Sequence, residues 1–192
     1  PVVADAEYDR LYDELRTLEA EEGYSLPDSP THRVGGAPKG QFEQTKHLLR
    51  LYSLDKCQSQ DEFFEWCNRI VKTVGYLPTL TCEYKFDGLT LNILYENGKI
   101  VKASTRGNGE VGEVVTAQVN TIKKLPKTIE YKGKIEIQGE GILRLSALNA
   151  YNQIASEPLK NARNGAAGAI RNLNPEVTAQ RGLSFFAYNI GY

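Results

Sequence analysis

Three ionisable side chains on alternate residues, Glu83, Lys85 and Asp87, are the part of the sequence best suited to chemistry. Successive side chains of a β-strand point to opposite faces, so these three are predicted to share one face and the apolar residues of 80–86 the other. A lysine between carboxylates, in a cleft facing phosphates, is the arrangement of a covalent nucleophile. Gly88 directly afterwards permits a close approach of the backbone to a ligand. The alternative is a solvent-facing strand side with balanced charges, which implies no function.

Other strands are predicted to bring polar partners towards this face. Alternating hydrophobicity predicts these strands over 89–95, 99–105, 134–143 and 183–190. The first two flank Asn97-Gly98, a pair that favours a hairpin with a type I′ turn. Arg106 follows the hairpin, and Glu140 lies on the polar side of the third strand.

Helices are predicted where apolar residues recur at helical spacing. They cover 5–22, 59–74, 113–125 and 147–155, and a tight turn with a short helix is expected over 164–173. Ser59 and Glu62 form a capping box at the start of the second helix, and Ser146 is expected to cap the fourth. Strands paired by hairpins, with helices between them, predict an α+β fold with mainly antiparallel sheets and flanking helices.

Composition excludes several classes of protein. The 192 residues contain no apolar run near the roughly 20 residues that a membrane helix needs, so no membrane partner is expected. The three cysteines, Cys57, Cys67 and Cys82, are an odd number without a CxxC pair. Neither a disulfide framework nor a zinc site is therefore expected, and a reducing cytoplasm is the expected location.

Charge divides the chain into two parts. Residues 1–28 hold nine acidic and two basic side chains, whereas residues 29–192 hold 15 acidic and 21 basic ones. This division predicts two units, of which the larger is able to face a polyanion. The alternative is a solubilising acidic helix on a mildly basic domain.

Motifs around Lys85 resemble a known family. Lys85-Phe86-Asp87-Gly88 matches the KxDG pattern of the covalent nucleotidyltransferases, which include DNA ligases, RNA ligases and capping enzymes. Further segments resemble the NAD-dependent DNA ligases of bacteria and occur in the order and spacing of that family. They are CEYKFDGL, LYENGKIVKASTRGNGEVGE, IEIQGE, NARNGAAGAIRNLNP, DSPTHRVGG and YSLDK. The amino-terminal DAEYDRL resembles the helical subdomain that sets these ligases apart from the ATP-dependent ones. The resemblance covers essentially all 192 residues and implies a nucleotidyltransferase fold, which is ATP-grasp-like.

The resemblance also implies roles for individual residues. Lys85 is the implied nucleophile, which attacks the α-phosphate of NAD and holds AMP as a phosphoramidate, with Asp87 beside it. The residues implied to bind the adenylate are Glu83, Ser53, Leu54 and Tyr188 at adenine, and Arg106 and Glu140 at phosphate and ribose. Those implied to bind nicotinamide mononucleotide are Asp5, Tyr8 and Asp9. Arg163 and Arg171, on either side of the Ala/Gly turn, are implied to meet the phosphates of DNA.

Partners and organisation follow from the same resemblance. NAD is the implied AMP donor, magnesium the implied metal and nicked double-stranded DNA the implied partner of a monomer. AMP is expected to pass from Lys85 to the 5′-phosphate of the nick, which the 3′-hydroxyl then seals. Residues 1–28 are expected to be part of a helical NMN-binding subdomain, and residues 29–192 an adenylation domain cut short at its carboxy-terminal end.

Three departures from the family pattern keep an alternative open. Asn108 stands where an aspartate is usual, Val114 where an acidic residue is usual, and Gln138 where an arginine is usual. These departures are the reason for keeping, beside the ligase, the alternative of a non-catalytic relative that only binds DNA or nucleotide. An ATP-dependent ligase is a second alternative, against which DAEYD argues. Residues 107–112 also fit GxGxxG, but they follow a hairpin strand and lead into KKLPK, so a dinucleotide-binding oxidoreductase is not expected.

Overall fold

The computed structural model of the chain describes residues 5–26, 29, 31 and 42–191. Within them the elements in chain order are α1 (Asp5–Glu22), β1 (Gln44–Lys46), α2 (Gln60–Val74), β2 (Leu89–Glu96), β3 (Lys99–Thr105), β4 (Val111–Glu113), α3 (Thr116–Val119), β5 (Lys134–Ile142), α4 (Leu145–Ile154), α5 (Ala162–Ile170), α6 (Pro175–Arg181) and β6 (Ser184–Gly191). The predicted first helix is confirmed. The side chains of Asp5, Tyr8 and Asp9 lie outside the described part, so the predicted nicotinamide mononucleotide contacts cannot be located.

The α+β class with antiparallel sheets is confirmed. Four strands form one sheet in the order β3-β2-β5-β6, and β1 pairs with β4 in a second, two-stranded sheet. Every ladder among the described residues is antiparallel. Asn97 and Gly98 adopt positive φ angles of 52° and 77° between β2 and β3, as the predicted type I′ hairpin requires.

One face of the large sheet carries the hydrophobic core. Leu91, Ile93 and Tyr95 point from β2 to this face, and all three are almost fully buried. They pack against apolar residues of the helical layer, among them Val119, Leu148, Ala166, Ala169 and Ile170. The small residues of α5 allow that helix to contact both β2 and β5. Burial of these side chains removes apolar surface from water and fixes the sheet to the helices.

The opposite face of the sheet is polar and remains partly open. Thr90 and Asn92 of β2 lie beside Glu140 and Gln138 of β5, respectively. Residues 45–48 lie over part of this face, and the Leu48 amide donates to both carboxylate oxygens of Glu136 on β5 at 3.2 Å. The end of the face near Glu140 is not covered in this way. This division into a helix-packed face and an open polar face positions the candidate site.

The structure corrects the predicted strand over 79–88. Residues 79–87 are irregular and pair with no strand of the described residues. Tyr84, predicted to face the apolar side, is 91% exposed. Alternating polarity suits an extended chain, but a strand also needs a partner for its backbone groups, and no described segment supplies one here.

Other corrections concern helices. The helix predicted over 113–125 is a single turn, α3, because β4 uses the preceding residues for pairing. Ser146 lies inside α4 rather than capping it; the N-cap is Arg144, which makes no side-chain capping bond. The short helix predicted in 164–173 begins earlier, as α5 at Ala162, and the turn follows it, where the Asn172 amide donates to the Ala169 carbonyl at 3.2 Å. The helix α6 was not predicted, although Asn174, Pro175 and Gly182 carry its start and stop signals.

The second predicted helix is confirmed with its cap. The Ser59 side chain accepts from the Glu62 amide at 3.2 Å, and Glu62 accepts from the Gln58 amide rather than from Ser59. Gly75 ends the helix in a left-handed conformation, φ 88°. In the described part of the chain, no helix combines the length and apolarity needed to cross a membrane.

Candidate functional site

Glu140 lies at the centre of the open polar end of the sheet. The Thr90 hydroxyl, on the neighbouring strand, donates to its Oε2 at 3.2 Å. Burial raises the pKa of Glu140, and this effect is opposed by the Thr90 hydrogen bond, by the positive charges of Lys85 and Arg163, and by the Gly88 amide. The carboxylate is therefore hydrogen-bonded to Thr90 and lies within electrostatic range of Lys85 and Arg163. The sheet thus holds a half-buried carboxylate opposite two cations.

Tyr188 of β6 belongs to the same group of side chains. The register of β5 and β6 shifts between Gln138 and Gly139, which leaves Tyr188 outside the regular pairs. Burial raises the pKa of the Tyr188 hydroxyl, and its other influences come from Thr90, Glu140 and Arg106. The ring is still 48% exposed. An aromatic surface therefore borders Glu140 and remains available for stacking.

The Lys85 segment is fixed to the sheet on its carboxy-terminal side. The Phe86 ring stacks on Phe186 of β6, with 4.2 Å between centroids and 26° between planes. A Cβ on Gly88 would lie 2.3 Å from the Gly141 carbonyl oxygen, so only glycine fits there. The close approach seen at Gly88 is to the backbone of β5, and the approach to a ligand stays a prediction. Lys85 directly precedes these two contact points, Phe86 and Gly88, and its own side chain is exposed.

Asp87 and Arg163 connect the Lys85 segment to α5. The Arg163 guanidinium lies 3.3 Å from the Asp87 carboxylate, and both side chains are largely exposed. An exposed pair of this kind is screened by water and adds little stability. Its consequence is positional, because it places Arg163 near Lys85 and Glu140.

Arg106 occupies the far border of the site, on the turn after β3. Its Nη1 donates to the Ser53 hydroxyl at 3.1 Å. The turn is shaped by Asn108, whose Oδ1 accepts from the amides of Glu110 and Val111, and by Gly107 and Gly109, both with positive φ. An asparagine satisfies this turn as an aspartate would, so the departure at Asn108 preserves the geometry that holds Arg106.

The remaining sequence-predicted residues are distributed less tightly. Leu54 is 74% exposed next to Ser53, and Glu83 is exposed on the irregular segment. Arg171 follows α5 at its carboxy-terminal end, eight residues from Arg163, which corresponds to about 12 Å along a helix. The two arginines therefore occupy opposite ends of α5, and the structure brings Arg163 but not Arg171 to the Lys85 group.

Two other departures have local structural roles. Gln138 accepts through Oε1 from the Asn189 side chain at 3.2 Å, across β5 and β6. Val114 forms an isolated bridge with Ser104, and its amide donates to the Glu43 carbonyl at 2.7 Å.

Thr90, which contacts both Glu140 and Tyr188, was not predicted from the sequence. The alternation of residues 89–95 placed it on the polar face, and a hydroxyl opposite a carboxylate was the available signal.

Metal-binding groups do not converge in the described residues. No group of three or more histidine, cysteine, aspartate or glutamate side chains is placed there to hold an ion. Glu140 is a single half-buried carboxylate, and Asp87 is paired with Arg163. These donors fit a magnesium ion whose other ligands are phosphates and water, and they do not form an all-protein cage.

The fold and the site together define a class of protein. An antiparallel sheet, backed by helices, presents a lysine, two arginines, a half-buried glutamate and an aromatic ring at one open end. Arginine and lysine side chains suit phosphate, and an exposed aromatic ring suits a base. This is the donor set of an α+β domain suited to a phosphorylated ligand with a planar ring.

Comparison with known proteins identifies the family. The family model described as NAD-dependent DNA ligase adenylation domain matches residues 39–192, and the model described as DNA ligase-like, N-terminal NAD+-binding domain matches residues 1–35. The chain belongs to the NAD-dependent DNA ligase adenylation domain family, preceded by the matching NAD+-binding segment. The resemblance inferred from the motifs is therefore confirmed.

Individual relatives agree with this assignment. Three relatives align with this chain over its whole length. The chain is 55% identical to a DNA ligase of Alkaliphilus oremlandii, 48% identical to a DNA ligase of Finegoldia magna and 49% identical to a DNA ligase 2 of Clostridium acetobutylicum. The chain spans about 30% of the length of these relatives.

Proposed function

We propose that this chain carries the self-adenylation site of an NAD-dependent DNA ligase and that Lys85 is its nucleophile. The Lys85 Nζ, after losing a proton, attacks the α-phosphorus of NAD. An N–P bond forms as the bond from that phosphorus to the bridging oxygen breaks, and nicotinamide mononucleotide leaves with the electron pair. The product is AMP joined to Lys85 as a phosphoramidate.

The grouping of Lys85, Arg163 and Glu140 is the observation that carries this proposal. Glu140 is half-buried and faces both cations, while Tyr188 and Arg106 border the same opening. Within the proposed site, Tyr188 stacks on adenine, and Glu83, Ser53 and Leu54 contact its edge. Arg106 and Glu140 hold phosphate and ribose, and Asp87 lies beside the nucleophile. This arrangement supports a nucleotidyltransferase fold.

The amino-terminal helix supplies the second half of the NAD site in this proposal. Asp5, Tyr8 and Asp9 are spaced to share one face of α1. Two carboxylates and an aromatic ring suit a cationic nicotinamide and its ribose. The match of residues 1–35 to an NAD+-binding domain supports this role. The unit formed by residues 1–28 would then contribute to cofactor choice, and residues 29–192 would carry the chemistry.

The DNA steps involve the arginines of α5. AMP passes from Lys85 to the 5′-phosphate of a nick, and the 3′-hydroxyl then displaces AMP to seal the strand. Arg171 is proposed to hold DNA phosphate, and Arg163 to serve phosphate beside Lys85. Magnesium, bound mainly by substrate phosphates with Asp87 or Glu140 nearby, would supply charge neutralisation. The proposed setting is a cytoplasmic monomer acting on nicked duplex DNA.

A nick-sealing assay tests the proposal in a protein of full length. This protein is a chimera in which the chain replaces the matching segment of the Alkaliphilus oremlandii DNA ligase. With NAD and magnesium the chimera is expected to seal a nicked duplex and release nicotinamide mononucleotide, and with ATP it is expected to do neither. A folded chimera that binds nicked DNA without sealing it would contradict the proposal and favour a non-catalytic relative. Sealing supported equally by ATP would contradict the role of NAD.

A further inference from the structure

A partly buried histidine lies behind Arg106, on the polar face of the sheet. His47 follows β1, and its Nε2 lies 3.0 Å from the Arg106 carbonyl oxygen. A carbonyl only accepts hydrogen bonds, so Nε2 must carry a proton. On the other side of the ring, Nδ1 lies 3.2 Å from the Asn92 side-chain nitrogen, which donates to it. The ring thus connects the middle of β2 to the first residue after β3.

The backbone around His47 leaves its ring little freedom. The His47 amide donates to the Glu110 carbonyl at 3.0 Å, which fixes its main chain to the same turn that Arg106 begins. A Cβ on Gly112 would lie 3.1 Å from the His47 Cε1 atom and 1.9 Å from the Thr105 oxygen. The imidazole therefore packs directly on glycine backbone. Two ring contacts and one main-chain contact determine where the ring lies.

The same segment also holds the Arg106 side chain. Ser53, six residues after His47, accepts from the Arg106 guanidinium, and the Leu51 amide donates to the Gly109 carbonyl at 2.8 Å. Residues 47–53 therefore contact the turn at three places: the Arg106 carbonyl, the Gly109 carbonyl and the Arg106 side chain. Of these contacts, that of His47 is the one that also extends to the middle of β2, through buried Asn92.

We propose that His47 is a positioning residue: its hydrogen bond to the Arg106 carbonyl sets the direction in which the Arg106 guanidinium reaches into the nucleotide site. This inference rests on the proposed function, because it assumes that Arg106 binds the phosphate and ribose region of NAD. His47 does not itself touch the nucleotide. Its effect passes through the backbone of residue 106, so removing it should weaken the binding of NAD more than the chemical step.

Kinetics of Lys85 adenylation in the chimera test the inference. His47→Ala is expected to raise the KM for NAD about tenfold, the size of one charge-assisted contact, with a smaller change in the single-turnover rate. His47→Gln keeps an N–H that can donate to the Arg106 carbonyl and should restore the KM to within about threefold of the unsubstituted chimera. Lys46→Ala, at the exposed last residue of β1 directly before His47, is the matched control and should change neither quantity.

A double-variant cycle distinguishes positioning from a general structural role. If His47 acts through Arg106, then His47→Ala should add less than about twofold to the KM of an Arg106→Ala chimera. An undiminished effect on that background would overturn the inference, as would an unchanged KM in a folded His47→Ala chimera. Absence of any Lys85 adduct in the unsubstituted chimera would overturn the proposed function and this inference together. Nitrogen NMR of the 192-residue chain should find the proton on Nε2 of His47; a neutral ring with its proton on Nδ1 would contradict the hydrogen bond itself.

Discussion

Glu140 shows how the sheet sets the charge of a single side chain. Burial raises the pKa of this carboxyl, so the folded protein favours its neutral form more than the unfolded chain does. The neutral Glu140 carboxyl therefore contributes to the free energy of unfolding. This contribution is fully present below the pKa of glutamate in the unfolded chain and is lost as the pH rises through the pKa of the folded protein.

Glu140→Gln should therefore remove part of the pH dependence of unfolding. Relative to the unsubstituted chain, the thermal midpoint of this variant should rise as the pH is raised from about 4, the region of the unfolded-chain pKa, through the raised pKa of folded Glu140, since only the glutamate ionises. Glu157→Gln, at an exposed position, is the control and should follow the unsubstituted chain. A midpoint difference that is constant across this range would show that burial does not perturb Glu140.

Gly88 offers a second test at a single residue. In Gly88→Ala the new methyl group would meet the Gly141 oxygen at 2.3 Å and the Ile142 Cγ2 at 2.8 Å, so the Lys85 segment or β5 must move. Denaturant unfolding should lose about 1–3 kcal/mol, the usual cost of overpacking. Gly168→Ala, within α5 and with nothing within 4 Å of the new Cβ, should instead gain about 0.5–1 kcal/mol from helix propensity. Equal effects of the two changes would argue against the close approach.

The turn between β3 and β4 is the element that decides how Arg106 is presented. Asn108 replaces the usual aspartate of the family pattern, yet its Oδ1 makes both of the turn hydrogen bonds that a carboxylate oxygen would make. The departure thus changes charge while it preserves the turn. His47 and Ser53 hold the same turn from outside.

Substitutions at Asn108 separate geometry from charge. Asn108→Asp should keep the stability of the chain within about 0.5 kcal/mol, whereas Asn108→Ala should lose about 1–2 kcal/mol because two backbone amides lose their acceptor. Denaturant unfolding at neutral pH measures both. A loss in Asn108→Asp as large as that in Asn108→Ala would mean that the turn depends on the amide nitrogen or on neutrality.

At the level of elements, the sequence predicted those whose signals are local. The hairpin turn at Asn97-Gly98, the cap at Ser59 and the strand over 134–143 all rest on short-range patterns, and the structure contains each of them. The strand over 79–88 was predicted wrongly because alternation cannot reveal whether a pairing strand exists. Asn174-Pro175 signalled α6 in the sequence but was overlooked.

Spacing predicted part of the site, since alternation singled out Lys85 and Asp87 and placed Glu140 on the polar side of its strand, whereas Tyr188 and Arg163 came from the resemblance alone. Lys85, Glu140, Arg106 and Tyr188 lie far apart in sequence, and the polar end of the sheet brings them together. Thr90 had one signal, its place on the polar face of a strand opposite a carboxylate, whereas nothing in the sequence pattern separates His47 from ordinary loop residues. Their contacts depend on the β2–β5 register and on the path of residues 45–53, which the sequence pattern does not determine.

On the scale of the whole molecule, basic side chains occur mainly in the stretches flanking the site. Residues 99–134 hold eight basic and three acidic side chains, and residues 141–192 hold five and two. The amino-terminal segment of opposite charge is separate in sequence. Binding of nicked duplex to the chimera should therefore depend on phosphate contacts, with little base preference and a steep decline with salt. Affinity that does not respond to salt would contradict this.

The two arginines of α5 should differ in their effects. Arg171→Ala should weaken duplex binding by about 1 kcal/mol or more, reduce the salt slope by about one, and leave Lys85 adenylation unchanged. Arg163→Ala should slow adenylation, because Arg163 lies beside Asp87 and Glu140. Fluorescence titration with nicked duplex and adenylation kinetics of the chimera give the two readouts. Identical behaviour of both variants would contradict the separation of the two ends of α5.

The central claim is that Lys85 accepts AMP from NAD, and tandem mass spectrometry of the chimera tests it most directly. After incubation with NAD and magnesium, one AMP should be found on the peptide that contains Lys85, and Lys85→Ala should carry none. Lys46→Ala, exposed and outside the site, should be labelled like the unsubstituted protein. An AMP adduct on a different residue, or one that persists in a folded Lys85→Ala chimera, would contradict the account.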